Sequence, residues 1–385
     1  MSEGLAVVKK DSSSIIEELR RIVGEKNATD AKHIRYAYSY DLTFVKRKNP
    51  DYVVLPTTTE QVQEIMRFAN REKIPVVPYT AGSNIGGLTI PERGGILLDL
   101  KRMNKIIRVD LECHYAIIEP GVSHALLAAE LYKHNMRWSW PVGPPSGSVS
   151  SNCLCHGIGG MSGRYGLNSE EITSMEVVLP DGTLIRVGSC AIQDQSWHSC
   201  MPLPRADGIF TGWLGTTGVV TKMGVRIHPI PPLLKVFTVS TQNIEDMASY
   251  MFNLGNYEIC DDLTAVSWWL SQVPIPYPYK PKPEKAPEWV CFGTTYSWTD
   301  KERDARIEIW ENVLKEEQKK GTSVKYAEYP EEALKARTQL PSKIVGSTKN
   351  YTKQAGGGIS WPGTFTPLNR WAPVYNEWKK ILIAH

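Results

Sequence analysis

The sequence lacks the features that mark membrane, secreted and nucleic-acid-binding proteins. It has no apolar run of roughly 20 residues, the length that a membrane-spanning helix requires. Its first residues do not combine a basic segment with an apolar one, as a secretory signal does. The formal charge is only +3 over 385 residues, so composition does not support binding to nucleic acid or to an anionic membrane. We expect a cytoplasmic protein with no membrane span and no nucleic-acid partner.

The cysteines do not form the pattern of a disulfide-stabilised protein. There are seven, an odd number, in a long chain, whereas disulfide-rich proteins are typically small and secreted. Cys153, Cys155 and His156 are close enough in sequence to suggest a metal site, but no second Cys/His pair lies at ligand-like spacing. We interpret this cluster as packing within a loop and expect no metal.

The length and composition are those of a globular protein with two domains. Hydrophobic residues make up 42% of the chain and charged residues 22%. A chain of 385 residues exceeds the usual size of one hydrophobic core. Pro229, Pro231 and Pro232 interrupt the sequence after an apolar strand-like run. We therefore place the boundary there, with residues 1–231 in one domain and residues 232–385 in the other.

Hydrophobic periodicity predicts alternating helices and strands in the first domain. Thr58 and Gln61 form a capping-box pattern ahead of an apolar helical stripe. Asp181-Gly182 between two apolar runs predicts a hairpin. The predicted helices lie at residues 12–25 and 123–133, and a third opens at residue 58 with residues 62, 65, 66 and 69 on its buried stripe. The predicted strands lie at 51–56, 74–78, 95–100, 115–120, 175–185 (the hairpin) and 218–227.

The second domain is expected to be mixed and rich in tryptophan. The predicted strands are 233–240 and 265–271, the predicted helices are 243–255, 300–320 and 378–385, and the proline-rich residues 274–287 are predicted to be an extended loop. Many of the 12 tryptophans lie in this half, and they suggest either an aromatic cavity or a buried aromatic core: Trp268, Trp269, Trp289, Trp298, Trp361 and Trp371.

Two glycine-rich segments, each after an extended apolar stretch, carry the most information about function. The first spans residues 78–87 and the second residues 143–160. Glycine has no Cβ and tolerates positive φ, so such segments let backbone N–H groups approach a bulky anion. Glycines that serve only as tight turns would explain either segment alone. Two in series predict a large phosphate-bearing cofactor that is held twice.

Neither segment has the spacing of the two common phosphate-binding motifs. A Rossmann site needs G-x-G-x-x-G at the turn into a helix, and a P-loop needs Gly-Lys-Ser/Thr. Both patterns are absent, and residues 89–93 after the first segment are a poor helix start. The sequence therefore predicts a fold that binds pyrophosphate through non-helical loops.

Several short motifs occur in the order found in one family of flavoproteins. They lie at residues 56–62, 78–84, 98–104, 119–122, 147–166 and 208–224. On these motifs the chain resembles the vanillyl-alcohol oxidase/p-cresol methylhydroxylase family, most strongly over residues 47–231. The resemblance implies an α+β fold. A two-subdomain FAD-binding domain of the p-cresol methylhydroxylase type (1–231, core 47–231) would precede an α+β cap, or substrate, domain with an antiparallel sheet (232–385).

The resemblance also implies FAD as the cofactor and a set of positions that contact it. The first segment would donate backbone N–H groups to the pyrophosphate, the second would lie along the flavin, and residues 215–220 would close over the cofactor. The implied cofactor-binding residues are Thr80, Ala81, Gly82, Ser83, Asn84, Pro145, Gly147, Ser148, His156, Gly157, Ile158, Gly215, Thr216, Gly218, Val219 and Val220.

The chemistry that the resemblance implies is that of an FAD-dependent oxidoreductase. A hydride would pass from an alcohol or benzylic carbon of a small substrate, aromatic ones included, to flavin N5. We expect a dehydrogenase that passes electrons to a partner, in a homo-oligomer or with an electron-accepting subunit. Two alternatives stay open: a D-2-hydroxy acid dehydrogenase of the lactate/glycolate type, and a non-catalytic FAD-binding subunit of a larger complex.

The sequence departs from the family where flavin attachment and substrate are decided. There is no histidine between Thr80 and Leu88, where some relatives attach FAD, and Tyr351 is a weak match to the attachment residue of others. We therefore expect noncovalent FAD. Residues 143–145 are Gly-Pro-Pro, where phenol-oxidising members carry an acid, although residues 356–362 resemble the family's cap strand.

The C-terminal end and the histidines complete the expectations from sequence. The predicted helix from Trp378 is cut off at His385, whereas relatives continue further, so we expect a cap that is shortened or completed by a partner subunit. We assign no catalytic base. His114, His124 and His134 are interpreted as surface or packing residues.

Overall fold

The computed structural model describes residues 12–41, 43, 45–139, 144–201, 203–268, 281–328 and 366–384. These residues combine α-helices with four β-sheets, which confirms the predicted α+β class. Within them, no helix is both long enough and apolar enough to cross a bilayer. All seven cysteines lie in this part of the chain as free thiols.

The elements are numbered in chain order. The helices are α1 (Ser12–Val23), α2 (Lys32–Ala37), α3 (Thr59–Glu72), α4 (His124–Tyr132), α5 (Val149–Leu154), α6 (Ser162–Tyr165), α7 (Ile244–Gly255), α8 (Asp300–Lys319) and α9 (Trp371–Ala384). The strands are β1 (Ala28–Thr29), β2 (Tyr52–Val54), β3 (Val76–Tyr79), β4 (Ile96–Asp99), β5 (Ile106–Asp110), β6 (Tyr115–Ile118), β7 (Met136–Arg137), β8 (Ile172–Val178), β9 (Leu184–Gly188), β10 (Val219–Arg226), β11 (His228–Pro229), β12 (Leu233–Thr241), β13 (Asp262–Ser267), β14 (Trp289–Ser297) and β15 (Lys325–Tyr326).

The first sheet, in the order β1-β2-β4-β3, places the first glycine-rich segment at its edge. Strands β2 and β3 both run parallel to β4, which lies between them, and α3 makes the crossover from β2 to β3. The crossover helix begins where the Thr58 hydroxyl accepts the N–H of Gln61 at 3.3 Å, as the capping pattern predicts. The first loop therefore leaves the carboxyl edge of a parallel pair, where ligands of α/β sheets bind.

The second sheet is antiparallel, in the order β5-β6-β10-β8-β9. Strands β8 and β9 form the hairpin predicted from Asp181-Gly182, with Gly182 at φ +82°. Leu127 and Leu131 of α4 share one hydrophobic cluster with Met175 and Met223 of this sheet. Strands β7 and β11 form a separate two-stranded antiparallel pair.

The C-terminal sheet, in the order β13-β14-β12-β15, is antiparallel throughout, as predicted for the residues beyond 232. Helices α7 and α8 bury Met247, Leu254 and Trp310 in one cluster with side chains of β12 and β14. The hydrophobic clusters of the described residues each stay on one side of residue 231. The division into two domains at that position stays a prediction.

The elements differ from the sequence prediction mainly at their ends. Strand β13 begins at Asp262, three residues before its predicted start. Helix α9 begins at Trp371 rather than Trp378, because Pro373 falls in the first turn, where a missing N–H costs nothing. Residues 281–287 of the proline-rich segment form no helix or strand, as predicted. Residues 274–280, Tyr351 and the predicted cap strand 356–362 lie outside the described residues.

The described tryptophans of the C-terminal half pack mainly into its core. Trp268, Trp289 and Trp310 are buried, whereas Trp298 is exposed. The rings of Trp289 and Trp371 meet edge to face at 5.2 Å between centroids. These contacts favour the aromatic core over the aromatic cavity. Trp269 and Trp361 lie outside the described residues.

A buried carboxylate joins the first two sheets. Glu176 on β8 is 1% exposed, and its Oε1 lies 2.8 Å from the Nζ of Lys222 on β10. The same oxygen accepts hydrogen bonds at 3.2 Å from the hydroxyls of Thr59, at the start of α3, and Thr221. The Nε of Arg186 on β9 lies 3.4 Å from Oε2. One carboxylate therefore holds α3, which packs with the first sheet, against three strands of the second sheet.

Replacing Glu176 by alanine is expected to lower the free energy of unfolding by about 2 kcal/mol. Removal of one partner of a fully buried pair costs roughly 3–5 kcal/mol, and Lys222 is about a third exposed, which reduces the loss. Urea denaturation followed by circular dichroism measures the change. The control is Glu92→Ala, because Glu92 pairs with Lys48 at the surface and its loss is expected to be near neutral. Equal stabilities of the two variants would contradict the role of Glu176.

Candidate functional site

The first loop, residues 80–87, presents unused backbone N–H groups. Gly82 has φ +66°, and a Cβ added there would lie 1.8 Å from the hydroxyl oxygen of Tyr79, so only glycine fits. Between Ala81 and Ile85, no amide donates a hydrogen bond to another described residue. Such amides need an external acceptor or water. The loop therefore matches the predicted cradle for an anion.

Side chains beneath the first loop hold it in place. The Gly87 N–H donates to the carboxylate of Asp41 at 2.9 Å. The Tyr38 hydroxyl donates to Asp99 at the end of β4 at 2.6 Å, and the Lys101 Nζ lies 2.7 Å from the same carboxylate. Burial raises the pKa of Tyr38 to about 12, and the hydrogen bond to Asp99 adds to the effect. Tyr38 is therefore a neutral donor at physiological pH.

The second loop is fixed against the start of α4. The Ala125 N–H donates to the carbonyl of Pro145 at 2.9 Å, and the His124 N–H donates to the carbonyl of Gly147 at 3.0 Å. The Ser148 hydroxyl donates to the Pro120 carbonyl at 2.7 Å and accepts the Ser151 N–H at 3.1 Å, which caps α5. The predicted residues Pro145, Gly147 and Ser148 thus lie in one ordered turn.

The first and second loops touch each other. The hydroxyl of Thr80 lies 2.8 Å from that of Ser151. A Cβ added to Gly147 would lie 3.6 Å from the hydroxyl oxygen of Ser83 and 3.1 Å from the carbonyl oxygen of Pro144. Two segments about seventy residues apart in sequence, as predicted to serve one cofactor, therefore form one surface.

The third segment, residues 208–220, reaches both loops. Gly212 donates its N–H to the Leu154 carbonyl at 2.8 Å, and a Cβ added at its φ of +80° would lie 2.7 Å from the Nε2 of His156. Gly215, also at φ +80°, packs against Pro78, which lies just before the first loop. A Cβ added to Gly215 would lie 3.5 Å from the Cγ of Pro78. The segment therefore links the second loop to the end of β3.

The remaining predicted positions divide into exposed and buried groups. His156, at φ +53°, and Ile158 are exposed, and the His156 Nδ1 lies 2.9 Å from the Ser169 hydroxyl. Gly157 is confined, because an added Cβ would lie 2.2 Å from the Asn152 amide nitrogen. Three positions on or next to β10 turn toward the protein interior, so their side chains offer no ligand surface: Gly218, Val219 and Val220. Thr216 donates its N–H to the Trp213 carbonyl at 3.1 Å within the third segment.

The histidines and cysteines singled out in the sequence divide between buried and exposed positions, and Cys155 is exposed. His124 is buried, and His114 and His134 are exposed. Cys153 lies in the hydrophobic cluster of the second sheet, as the packing interpretation predicts. Among the residues with described positions, no group of three His, Cys, Asp or Glu side chains could hold a metal ion.

Sequence reasoning missed the partners that bring the loops together. Ser151 and Gly212 lie inside the motifs quoted for the family, but their contacts with Thr80 and His156 depend on the fold. Asp41 lies outside the motifs, and no pattern in the sequence connects it with Gly87. The three segments together form a glycine-lined surface on which the amides from Ala81 to Ile85 donate to no other described residue, which fits a bulky phosphate-bearing group.

Comparisons with known proteins bear on the cofactor and the fold. A family model described as an FAD binding domain matches residues 50–188. The flavoprotein subunit of 4-cresol dehydrogenase from Pseudomonas putida is 30% identical over 250 residues, 63% of this chain and 47% of that subunit. Glycolate oxidase subunit GlcD of Bacillus subtilis is 30% identical over 240 residues, 62% of this chain and 49% of that protein. The chain thus spans about half the length of the curated relatives it matches.

The fold has a close counterpart among solved structures. p-Cresol methylhydroxylase with substrate bound superposes with a TM-score of 0.72 at 24% identity, over 91% of this chain and 70% of that one. Residues 50–188 are an FAD-binding domain, and the chain is similar to p-cresol methylhydroxylase-type oxidoreductases. The resemblance inferred from the motifs is thereby confirmed, and so is FAD as the cofactor of the domain.

Gly82→Ala is expected to weaken FAD binding at least tenfold. The new Cβ would meet the Tyr79 hydroxyl, and alanine at positive φ adds roughly 1–2 kcal/mol of strain. Gly86→Ala in the same loop is the matched control, since its Cβ would make only ordinary contacts of 3.4 Å or more and its φ is not positive. Fluorescence titration of the apoprotein with FAD gives both dissociation constants. Equal weakening in the two variants would refute the special role of Gly82.

His124, which packs beside Gly147, is expected to make stability depend on pH. Burial lowers the pKa of His124 to about 3, and its Nδ1 accepts the indole N–H of Trp138 at 3.1 Å. Below pH 6.5 the unfolded chain therefore binds a proton at this residue and the folded chain does not. The free energy of unfolding then falls by about 1.4 kcal/mol for each pH unit.

Urea denaturation at pH 7.5 and pH 5, at constant FAD concentration, measures this contribution of His124 to the pH dependence of stability. The wild type should lose about 2 kcal/mol more between the two pH values than His124→Gln, which has no group that titrates in this range. Carboxylates act equally in both proteins. Identical losses would mean that His124 does not carry the effect.

Proposed function

We propose that the protein is an FAD-dependent dehydrogenase that oxidises an alcohol or benzylic carbon of a small substrate. One observation carries the proposal: three glycine-containing segments, the first and third with glycines at positive φ, meet at the carboxyl edge of the first sheet, where the amides from Ala81 to Ile85 donate to no other described residue. Bound FAD supplies an acceptor for two electrons. The protein supplies the binding surface, the orientation and the exclusion of water.

We propose roles for the loop residues in holding the cofactor. The free amides from Ala81 to Asn84 donate to the pyrophosphate, and the Thr80 hydroxyl, tied to Ser151, fixes the start of that loop. The turn of Pro145, Gly147 and Ser148 borders the flavin, with His156, Gly157 and Ile158 along it. Gly215 and Thr216 close over the cofactor. Gly218, Val219 and Val220 contribute backbone alone, because their side-chain positions point into the core.

Noncovalent attachment of FAD is part of the proposal. No histidine lies in the first loop between Thr80 and Leu88. His156, the histidine at the junction of the second and third segments, has its Nδ1 beside Ser169 and its Nε2 against Gly212. Acid precipitation of the purified protein would then release all of its flavin to the supernatant.

The electrons are proposed to pass to a partner protein rather than to oxygen. The relative from Pseudomonas putida is named a flavoprotein subunit, which supports a multi-subunit arrangement for this chain as well. Whether this chain forms a homo-oligomer or pairs with an electron-accepting subunit stays a prediction, as does its cytoplasmic location.

A D-2-hydroxy acid dehydrogenase is the second candidate, and two observations favour it. One relative is a glycolate oxidase subunit. In addition, Pro144 and Pro145 stand where phenol-oxidising members of the family carry an acid. A substrate carboxylate would need no protein acid at that position.

Anaerobic reduction of the bound flavin separates the candidates. The purified holoprotein is mixed in turn with 4-ethylphenol, D-lactate and glycolate, and loss of the visible flavin band is recorded. L-Lactate and the Gly82→Ala variant are the controls. The proposal expects bleaching by 4-ethylphenol, followed by re-oxidation that is faster with an artificial electron acceptor than with oxygen.

Each other outcome selects a different function. Bleaching by D-lactate or glycolate alone would establish the 2-hydroxy acid dehydrogenase instead. A protein that binds FAD but is reduced by none of these compounds would be a non-catalytic FAD-binding subunit. A purified wild type that takes up no FAD would refute all three.

A further inference from the structure

Asp261, just before β13, is a fully buried carboxylate shared by several cations. Its Oδ1 lies 2.8 Å from the Nη1 of Arg164 and 3.4 Å from the Nη2 of Arg137. Its Oδ2 accepts the backbone N–H of Tyr296 at 2.8 Å and lies 4.0 Å from Arg306. Arg306 already pairs with Glu302 on α8 at 2.8 Å. Arg137 and Arg164 are therefore the main cations that neutralise Asp261.

These two arginines come from the other part of the chain. Arg137 lies on β7 and Arg164 on α6, whereas Asp261 and Tyr296 belong to the C-terminal sheet. Between the described residues of 12–231 and those of 233–384, the hydrogen bonds and ion pairs converge on Asp261. The hydrophobic clusters do not cross this line. The junction is therefore polar, and one carboxylate dominates it.

Arg137 makes this carboxylate indispensable to the junction. The side chain is 3% exposed, and among the described residues its Nε and Nη1 have no hydrogen-bond partner. Its guanidinium lies over the ring of Tyr296, 4.1 Å from the centroid. Arginine stays charged in proteins, so this buried cation depends on Asp261 and the Tyr296 ring for compensation. Without Asp261, separation of the two parts would let water reach Arg137.

The junction also connects to the second loop. Arg164 lies four residues after Gly160, the last glycine of that loop. Gly163 lets the backbone approach Asp261, whose carbonyl oxygen would lie 3.4 Å from a Cβ added at Gly163. The ring of Tyr165 stacks on His228 at 3.7 Å, and His228 pairs with Arg137 across β7 and β11. The segment beside the proposed flavin and the C-terminal sheet thus share one anchor.

We propose that Asp261 is a positioning residue, which holds the C-terminal part of the chain in register with the second loop through Arg137 and Arg164. The proposal rests on the proposed function in one respect, namely that a substrate is oxidised between these two parts. Asp261 touches neither the loops that hold FAD nor any reacting atom. Its loss should therefore impair turnover and substrate binding while FAD stays bound.

The test compares Asp261→Asn with Glu317→Gln. Both changes remove one negative charge from a fully buried carboxylate of the C-terminal part. Glu317, however, binds Ser249, Asn253 and Lys320, all within that part. Asparagine at 261 can still accept the Tyr296 N–H, so the variant isolates the ionic contacts to Arg137 and Arg164.

Three measurements report on the junction. Trypsin cleavage of the connection between Arg226 and Lys235 should be about tenfold faster in Asp261→Asn than in the wild type and Glu317→Gln, at the scale of coupling between contacting charged groups. Thermal unfolding should split into two transitions in Asp261→Asn alone. With a substrate that reduces the wild-type flavin, kcat should fall and KM rise, while the FAD dissociation constant stays within about twofold.

Arg164 provides a second route if Asp261→Asn does not fold. Its side chain is 40% exposed, so Arg164→Gln is expected to fold and to reproduce the faster cleavage, and Arg164→Lys should restore most of the wild-type behaviour. Equal cleavage and a single transition in both Asp261→Asn and Glu317→Gln would overturn the proposal, as would normal cleavage in Arg164→Gln.

The outcomes separate this inference from the proposed function. If no substrate reduces the wild-type flavin, cleavage and unfolding still decide whether Asp261 joins the two parts. If a substrate reduces the flavin of Asp261→Asn as fast as that of the wild type, the positioning role falls while the dehydrogenase stands.

Discussion

The buried carboxylate of Glu176 is the contact on which the geometry of the cofactor loops depends. The first loop leaves the sheet that holds β3, whereas the third segment leads into β10 of the second sheet. Glu176 ties the start of α3 to Thr221 and Lys222 of β10, and the first hydrophobic cluster includes Val178 and Val219 from the second sheet. The approach of Gly215 to Pro78 follows from this register.

Within that frame, the first loop is held mainly by residues outside it. The amides from Ala81 to Ile85 make no hydrogen bonds to described residues, and glycines at positive φ replace the regular structure that would use them. The loop keeps its shape because Asp41 binds Gly87 at one end and Thr80 contacts Ser151 at the other. A binding surface whose amides point outward without rearrangement avoids the ordering cost that a flexible loop would add on binding.

The sequence predicted local features well and long-range pairings poorly. The Thr58 cap, the Asp181-Gly182 hairpin and the three glycine-rich segments follow from signals a few residues long, and the structure contains all of them. The position of β4 between β2 and β3 does not follow from periodicity, because nothing in a strand's own sequence names its neighbour. Asp261 forms ion pairs with Arg164 and Arg137, which lie 97 and 124 positions before it in the sequence. No local pattern predicts these pairs.

Glu176 and Asp261 are both buried carboxylates, but they act differently because their cations differ. Lys222 is 32% exposed and keeps contact with water, so Glu176 adds to an interface that apolar side chains already form. Arg137 is almost fully buried, and the junction it shares with Asp261 crosses no hydrophobic cluster of the described residues. Buried ion pairs contribute little net stability, yet breaking one is costly, so they select one arrangement over others. The cofactor loops are therefore held by packing together with the Glu176 carboxylate, whereas we propose that charge places the C-terminal part relative to them. Substitutions that alter the C-terminal part can then leave the cofactor loops unchanged.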